Sequence, residues 1–186
     1  MQKKLVRLIV ITALIMLIPI IASRYADGWA WNYFDYVFAS LMIFGAGALF
    51  ELGLSLSGNL MYRAGFGLAL LTGFMIIWGN GAVGFIGSED NPANLMYFGV
   101  LAIAFLGSII ARFEAHAMSR VMYVTAFGMA LVPVIALLMN SSFQEIPESV
   151  GTLGVFVLNT FFVVLFIGSG LLFRNATLSA TSPTNS

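Results

Sequence analysis

The chemistry open to this chain rests on a few polar side chains in apolar surroundings. Glu51 lies inside a long apolar run, and Asn80 and Asn159 lie inside two others. Glu89, Asp90, Asn91 and Asn94 cluster between two apolar runs. Carboxylates and amides so placed can hold a proton, a cation or a small polar ligand. They can also do nothing more than tie helices together. The remaining chemistry is thin. Cysteine is absent and His116 is the only histidine, so thiolate nucleophiles, Cys-based metal or iron–sulfur centres and bis-histidine haem are excluded within one chain. The only lysines are Lys3 and Lys4, which leaves none for a Schiff base inside a bundle. No aspartate dyad and no serine beside a usable base stands within an apolar run. No catalytic residue, cofactor or metal is therefore expected.

Lipid is the main solvent for these side chains. Of 186 residues, 60% are hydrophobic and 9% charged, with mean hydropathy +0.98. A soluble domain carries roughly 25% charged residues. Formal net charge is zero and the basic residues are scattered, so no stripe for nucleic acid exists. A bilayer crossing needs about 20 mainly apolar residues. Six runs qualify, near 5–23, 36–57, 62–87, 94–113, 121–139 and 150–173. The expected fold is an all-α, polytopic membrane bundle of about six transmembrane helices. The connections are short, so consecutive helices should be antiparallel neighbours. Residues 1–174 read as one transmembrane domain, and the Ser- and Thr-rich 175–186 as a disordered cytoplasmic tail.

Basic residues resist transfer across a membrane and so orient the chain. With the N-terminus inside, Lys3, Lys4, Arg7, Arg63, Arg112, Arg120 and Arg174 all fall on the cytoplasmic side. Only Arg24 lies outside. Asp27, Asp35, Glu89, Asp90, Glu145 and Glu148 fall outside too. Both ends are thus expected in the cytoplasm. The first run also resembles a signal peptide, with a weak cleavage site at 20–22. Its length, and the aromatic belt Tyr25, Trp29, Trp31, Tyr33, Phe34 and Tyr36 behind it, favour an uncleaved anchor.

Residues 78–97 read Trp-Gly-Asn-Gly-Ala-Val-Gly-Phe-Ile-Gly-Ser-Glu-Asp-Asn-Pro-Ala-Asn-Leu-Met-Tyr. This run, with Ala111-Arg112-Phe113 after it, resembles a family of small, uncharacterised bacterial inner-membrane proteins. The resemblance implies a bacterial inner-membrane location and carries no activity. Physically the run suits a hairpin. Asn91 can cap the fourth helix, with Pro92 at its first position, where a missing N–H costs nothing. Glu89 and Asp90 then sit at the positive end of that helix. The segment is either a well-made turn or an outward-facing polar site that includes Asn80 and Asn94. Gly79, Gly81 and Gly84 match a nucleotide fingerprint by letter only, since no strand precedes them. Gly81, Gly84 and Gly87 either admit a neighbouring helix or let the third helix unwind.

Glu51 lies about 7 Å from the midplane on the cytoplasmic side. An isolated charge near the centre costs roughly 2.5–3.5 kcal/mol, so Glu51 must face the bundle, be protonated or pair. Gly47, Glu51, Ser55 and Asn59 recur every four residues and form one stripe. Arg63 and Arg112 are its natural partners from the same side of the membrane. A Glu–Arg lock and a proton or cation site both remain open. Asn80 and Asn159 either bridge helices or face one cavity. Arg112, Glu114 and His116 form a cytoplasmic connector, with Arg112 and His116 on one face if the helix continues. Ten methionines are dispersed enough to be packing rather than a copper path.

Two functions follow. The first is a non-enzymatic accessory, structural or signalling subunit that acts through helix contacts, with the bilayer, a second copy or a membrane partner as its surroundings. The second is a binder or transporter of a small solute, ion or proton, with an outward-facing polar cavity.

Overall fold

Apolar runs cross a bilayer only if every backbone N–H and C=O is paired within the segment, and a helix achieves this locally. The computed structural model describes residues 2–26, 28–88, 90–139 and 151–181. It contains α1 (Gln2–Tyr25), α2 (Tyr33–Leu56), α3 (Leu60–Val83), α4 (Leu95–Ile110), α5 (Ala115–Leu138) and α6 (Gly151–Thr181). A single 3-10 turn, Pro92–Asn94, leads into α4, and no strand occurs among the described residues. All six helices are long and apolar enough to cross a membrane, α4 together with its leading turn. The chain is an all-α, multi-pass membrane protein.

Two expectations change. The third helix stops at Val83 rather than near residue 87, because Gly84 turns to φ +64° and its N–H closes back on the Asn80 carbonyl at 3.1 Å. The sixth runs to Thr181, so residues 175–181, expected as tail, are helical. The polar side chains there bond back into their own helix: Thr177 and Ser179 donate to the carbonyls of Phe173 and Asn175. Residues 182–186 lie outside the described residues, as do Asp27, Glu89, Glu145 and Glu148. The described chain forms two compact units, 1–52 and 53–186.

In the first unit α1 and α2 meet at Gly47, where an added Cβ would stand 2.8 Å from Leu8 Cδ2. The second unit holds α3 to α6. Here α5 packs against α4 and α6, and α6 also packs against α3. The main partner of α3 is therefore α6, not its neighbour in sequence.

Small residues set these approaches, because lipid provides no hydrophobic drive between helices and van der Waals contact must do the work. A Cβ on Gly65 would lie 3.2 Å from both Leu172 Cβ and the Ser169 carbonyl. Ser169 Oγ donates to the Gly65 carbonyl at 2.7 Å across the same α3–α6 contact. Gly107 meets Val121, and Gly170 meets the Tyr123 ring. The core contains Tyr62, Phe66, Phe166 and Phe173, together with Met118, Met122 and Met129.

Between α4 and α5 the helix does not continue. Arg112 and Phe113 adopt φ +50° and +58°, which is costly for residues with a side chain. Tyr62 Oη donates to the Phe113 carbonyl at 2.8 Å and holds this turn against α3. Arg112 and His116 thus do not share a helical face.

Gly65→Leu should force α3 from α6 and lower stability by about 1–3 kcal/mol. Gly99→Ala, with nothing within 4 Å of its Cβ, should leave stability unchanged or raise it by up to about 1 kcal/mol. Thermal unfolding in detergent checks both signs.

Candidate functional site

The site forms where α3 ends and α4 begins. Once α3 unwinds at Gly84, the loop backbone loses its helical partners. Asn94 replaces them. Its Oδ1 accepts from the N–H groups of Phe85 (3.1 Å) and Ile86 (3.0 Å). Its Nδ2 donates to the carbonyls of Ser88 (2.7 Å) and Ile86 (3.3 Å). One amide thus fills both of its donor and both of its acceptor positions. Gly87, at φ +69°, completes the turn.

The lead into α4 is closed in the same economical way. Asn91 Oδ1 accepts from Ala93 N–H at 2.9 Å. The Asn94 N–H donates to the Asn91 carbonyl at 3.0 Å, and Pro92 has no N–H to satisfy. Asn91 thus caps the 3-10 turn that leads into α4, rather than α4 itself, whose N-cap Asn94 makes no side-chain capping bond. The first-turn donors named here are spent.

Asn80 joins the two helices. Its Nδ2 donates to the Asn94 backbone carbonyl at 3.2 Å. That bond fixes the amide and leaves Oδ1 buried without a partner. The residue is 4% exposed. A buried unpaired acceptor costs about 1–3 kcal/mol, so this oxygen marks a place where a donor would be welcome.

Around these groups lies a cavity of about 310 Å³, open to the surface. Asn80, Gly81, Asp90, Asn91, Pro92, Asn94, Leu95 and Phe98 line it. Asp90 is exposed and forms no ion pair among the described residues. Sequence had grouped Asn80, Asp90, Asn91 and Asn94, and the structure brings all four to one cavity. Leu95 and Phe98 were missed; they stand three positions apart in α4, the spacing that keeps side chains on one side of a helix.

Asn159 is elsewhere. Its Nδ2 donates to Tyr97 Oη and to the Val155 carbonyl, each at 2.9 Å. It ties α6 to α4 inside an aromatic cluster where Phe85 packs edge-on to Tyr97, at 5.2 Å, and against Phe162, at 5.5 Å. Its Oδ1 is also buried and unpartnered. Among the described residues no neighbouring helix packs on the glycines of this segment. Gly81 has open space, Gly84 and Gly87 turn the chain, and Gly79 receives the Phe85 ring.

The second candidate, Glu51, has partners other than those expected. Lys4 Nζ lies 3.3 Å from Oε2, and Arg7 pairs with Oε1. Both cations sit at the start of α1, three positions apart and so on one face. An antiparallel α1–α2 hairpin brings that face level with the end of α2. Arg63 is occupied instead by carbonyls at and just past the end of α2: Nε donates to Ser57 (2.7 Å) and Nη2 to Leu54 (3.1 Å). A cation at a helix C-terminus is favoured by the dipole. Arg112 is exposed in the α4–α5 turn. Asn59 leaves the stripe altogether and caps α3, accepting from the N–H groups of Met61 and Tyr62.

No protein-family model, curated protein or solved structure matches the chain, so function must be read from this geometry.

Asn94→Ala removes four hydrogen bonds to the loop and should lower stability by about 2–4 kcal/mol. Asn91→Ala removes the capping bond to Ala93 and should cost about 0.5–2 kcal/mol. Thermal midpoints of the two variants, measured side by side, check the ordering.

Proposed function

We propose that this protein is a non-enzymatic membrane subunit that acts through contacts, recognises a ligand or partner at the α3–α4 cavity, and does not carry solute across the bilayer. The observation that supports this reading is how the polar groups inside residues 53–186 are used. Thr72 and Thr125 donate to carbonyls one turn back in their own helices. Ser169 and Tyr62 donate to backbone carbonyls of other segments. Asn94 is saturated by the loop. Apolar Ile76, Ile86 and Tyr97 are buried to 1% exposure or less beside the cavity-lining residues in the chain. A transport path needs a succession of polar groups free to hand on a solute, and these groups are already engaged.

The distribution of basic residues supports a cavity on the face away from the cytoplasm. The resemblance of residues 78–113 points to a bacterial inner membrane. The partner of such a subunit is a second copy or another membrane protein. Transport keeps one observation on its side, the unpartnered Asn159 Oδ1 in the core, but Asn159 does not line the cavity.

Reconstitution into liposomes tests this reading. The protein should leave proton and monovalent-cation flux at the level of empty vesicles, and Glu51→Gln should change stability without changing flux. Protein-dependent flux that falls with Glu51→Gln or Asn80→Leu would replace this reading with transport.

A further inference from the structure

The cavity offers a ligand acceptors and few donors. The backbone N–H groups of Ala93 and Asn94 are held by Asn91. Both N–H bonds of the Asn94 amide go to the loop. Pro92 supplies none. A helix N-terminus usually attracts anions through such donors, and here they are spent. What remains is a buried amide oxygen, Asn80 Oδ1, with no partner, and the carboxylate of Asp90. The apolar part of the wall comes from Pro92, Leu95 and the ring of Phe98.

From this asymmetry we infer that the cavity binds a primary ammonium group. An R–NH3⁺ carries three donors and a positive charge. One N–H reaches Asn80 Oδ1, the charge is met by Asp90, and the face of Phe98 adds a cation–π contact. The carbon next to the nitrogen lies against Leu95 and Pro92. Competing ligands fit less well. An anion meets a carboxylate and few free donors. A divalent metal asks for about six or more oxygens, and no metal-ligating cluster of His or acidic residues occurs among the described residues. A trimethylated ammonium keeps the charge but has no N–H for Asn80. The volume of about 310 Å³ is at the lower end of ligand sites and suits a small amine. The same chemistry is carried by a free amine and by an ethanolamine lipid headgroup. This assignment rests on the cavity being a recognition site.

The test is a titration of the full chain, in a detergent free of amines, followed by native mass spectrometry and thermal shift. The probes are ethanolamine, choline, and short-chain phosphatidylethanolamine and phosphatidylcholine. Each primary-ammonium probe that binds should do so at least about tenfold more tightly than its trimethylated counterpart. Asp90→Asn should weaken binding by about tenfold or more without changing the fold, since Asp90 is exposed and forms no ion pair among the described residues. Asn80→Leu should remove the preference for the primary ammonium. If it does not fold, the Asp90→Asn result and the primary-to-trimethyl ratio decide alone. Binding of ethanolamine itself identifies a free-amine site, and binding of the lipid only identifies a headgroup site; either supports the inference. Equal binding of primary and trimethylated probes, or binding indifferent to Asp90→Asn, overturns it while leaving a recognition cavity in place. Absence of binding by all four probes also overturns it, and the flux measurement then judges the broader reading separately.

Discussion

A chain that leaves its helix near the membrane must find new partners for each backbone group it frees, since hydrocarbon supplies none. Between α3 and α4 that requirement falls on one side chain. Asn94 accepts from two loop N–H groups and donates to two loop carbonyls. Much else depends on that arrangement. It brings Phe85 back over Gly79 and against Tyr97. It presents the Asn94 backbone carbonyl to Asn80, and so orients the Asn80 amide. The cavity beside it takes its shape and its excess of acceptors from the same bonds.

The rest of the second unit follows the same economy. Hydroxyls turn to carbonyls, small residues allow backbones to touch, and Arg63 closes the end of α2. A protein whose internal polar groups are committed in this way is suited to hold a shape and present a surface. Glu51 fits that picture, since Lys4 and Arg7 neutralise it within the first unit.

The fold class was legible in the sequence because hydropathy alone forces helices in lipid. The Asn-Pro cap was legible because its chemistry is local. The grouping of Asn80, Asp90, Asn91 and Asn94 could be seen as a cluster of letters, though the task of Asn94 could not, since it depends on how the loop folds back. Other features were hidden for specific reasons. Glu51 was assigned partners by nearness in the membrane, but Lys4 and Arg7 reach it through the α1–α2 pairing. Regular spacing of Gly81, Gly84 and Gly87 left a packing face and an unwound helix end both open, and Gly84 and Gly87 serve a turn that demands positive φ. Tyr97 and Asn159 lie 62 positions apart in sequence, and their contact depends on tertiary packing. The polar composition of residues 175–181 suggested a tail, and helical backbone extends through it.

The central claim is that the Asn94 side chain, acting as a surrogate for backbone, makes the α3–α4 loop a fixed part of the structure. Residue-resolved amide hydrogen exchange on the unmodified protein in lipid nanodiscs tests it most directly. The Phe85 and Ile86 amides should exchange slowly, at rates comparable to the first turns of α4. Exchange at those two amides as fast as in an open loop would show that Asn94 does not hold them, and would contradict the account of the cavity built upon it.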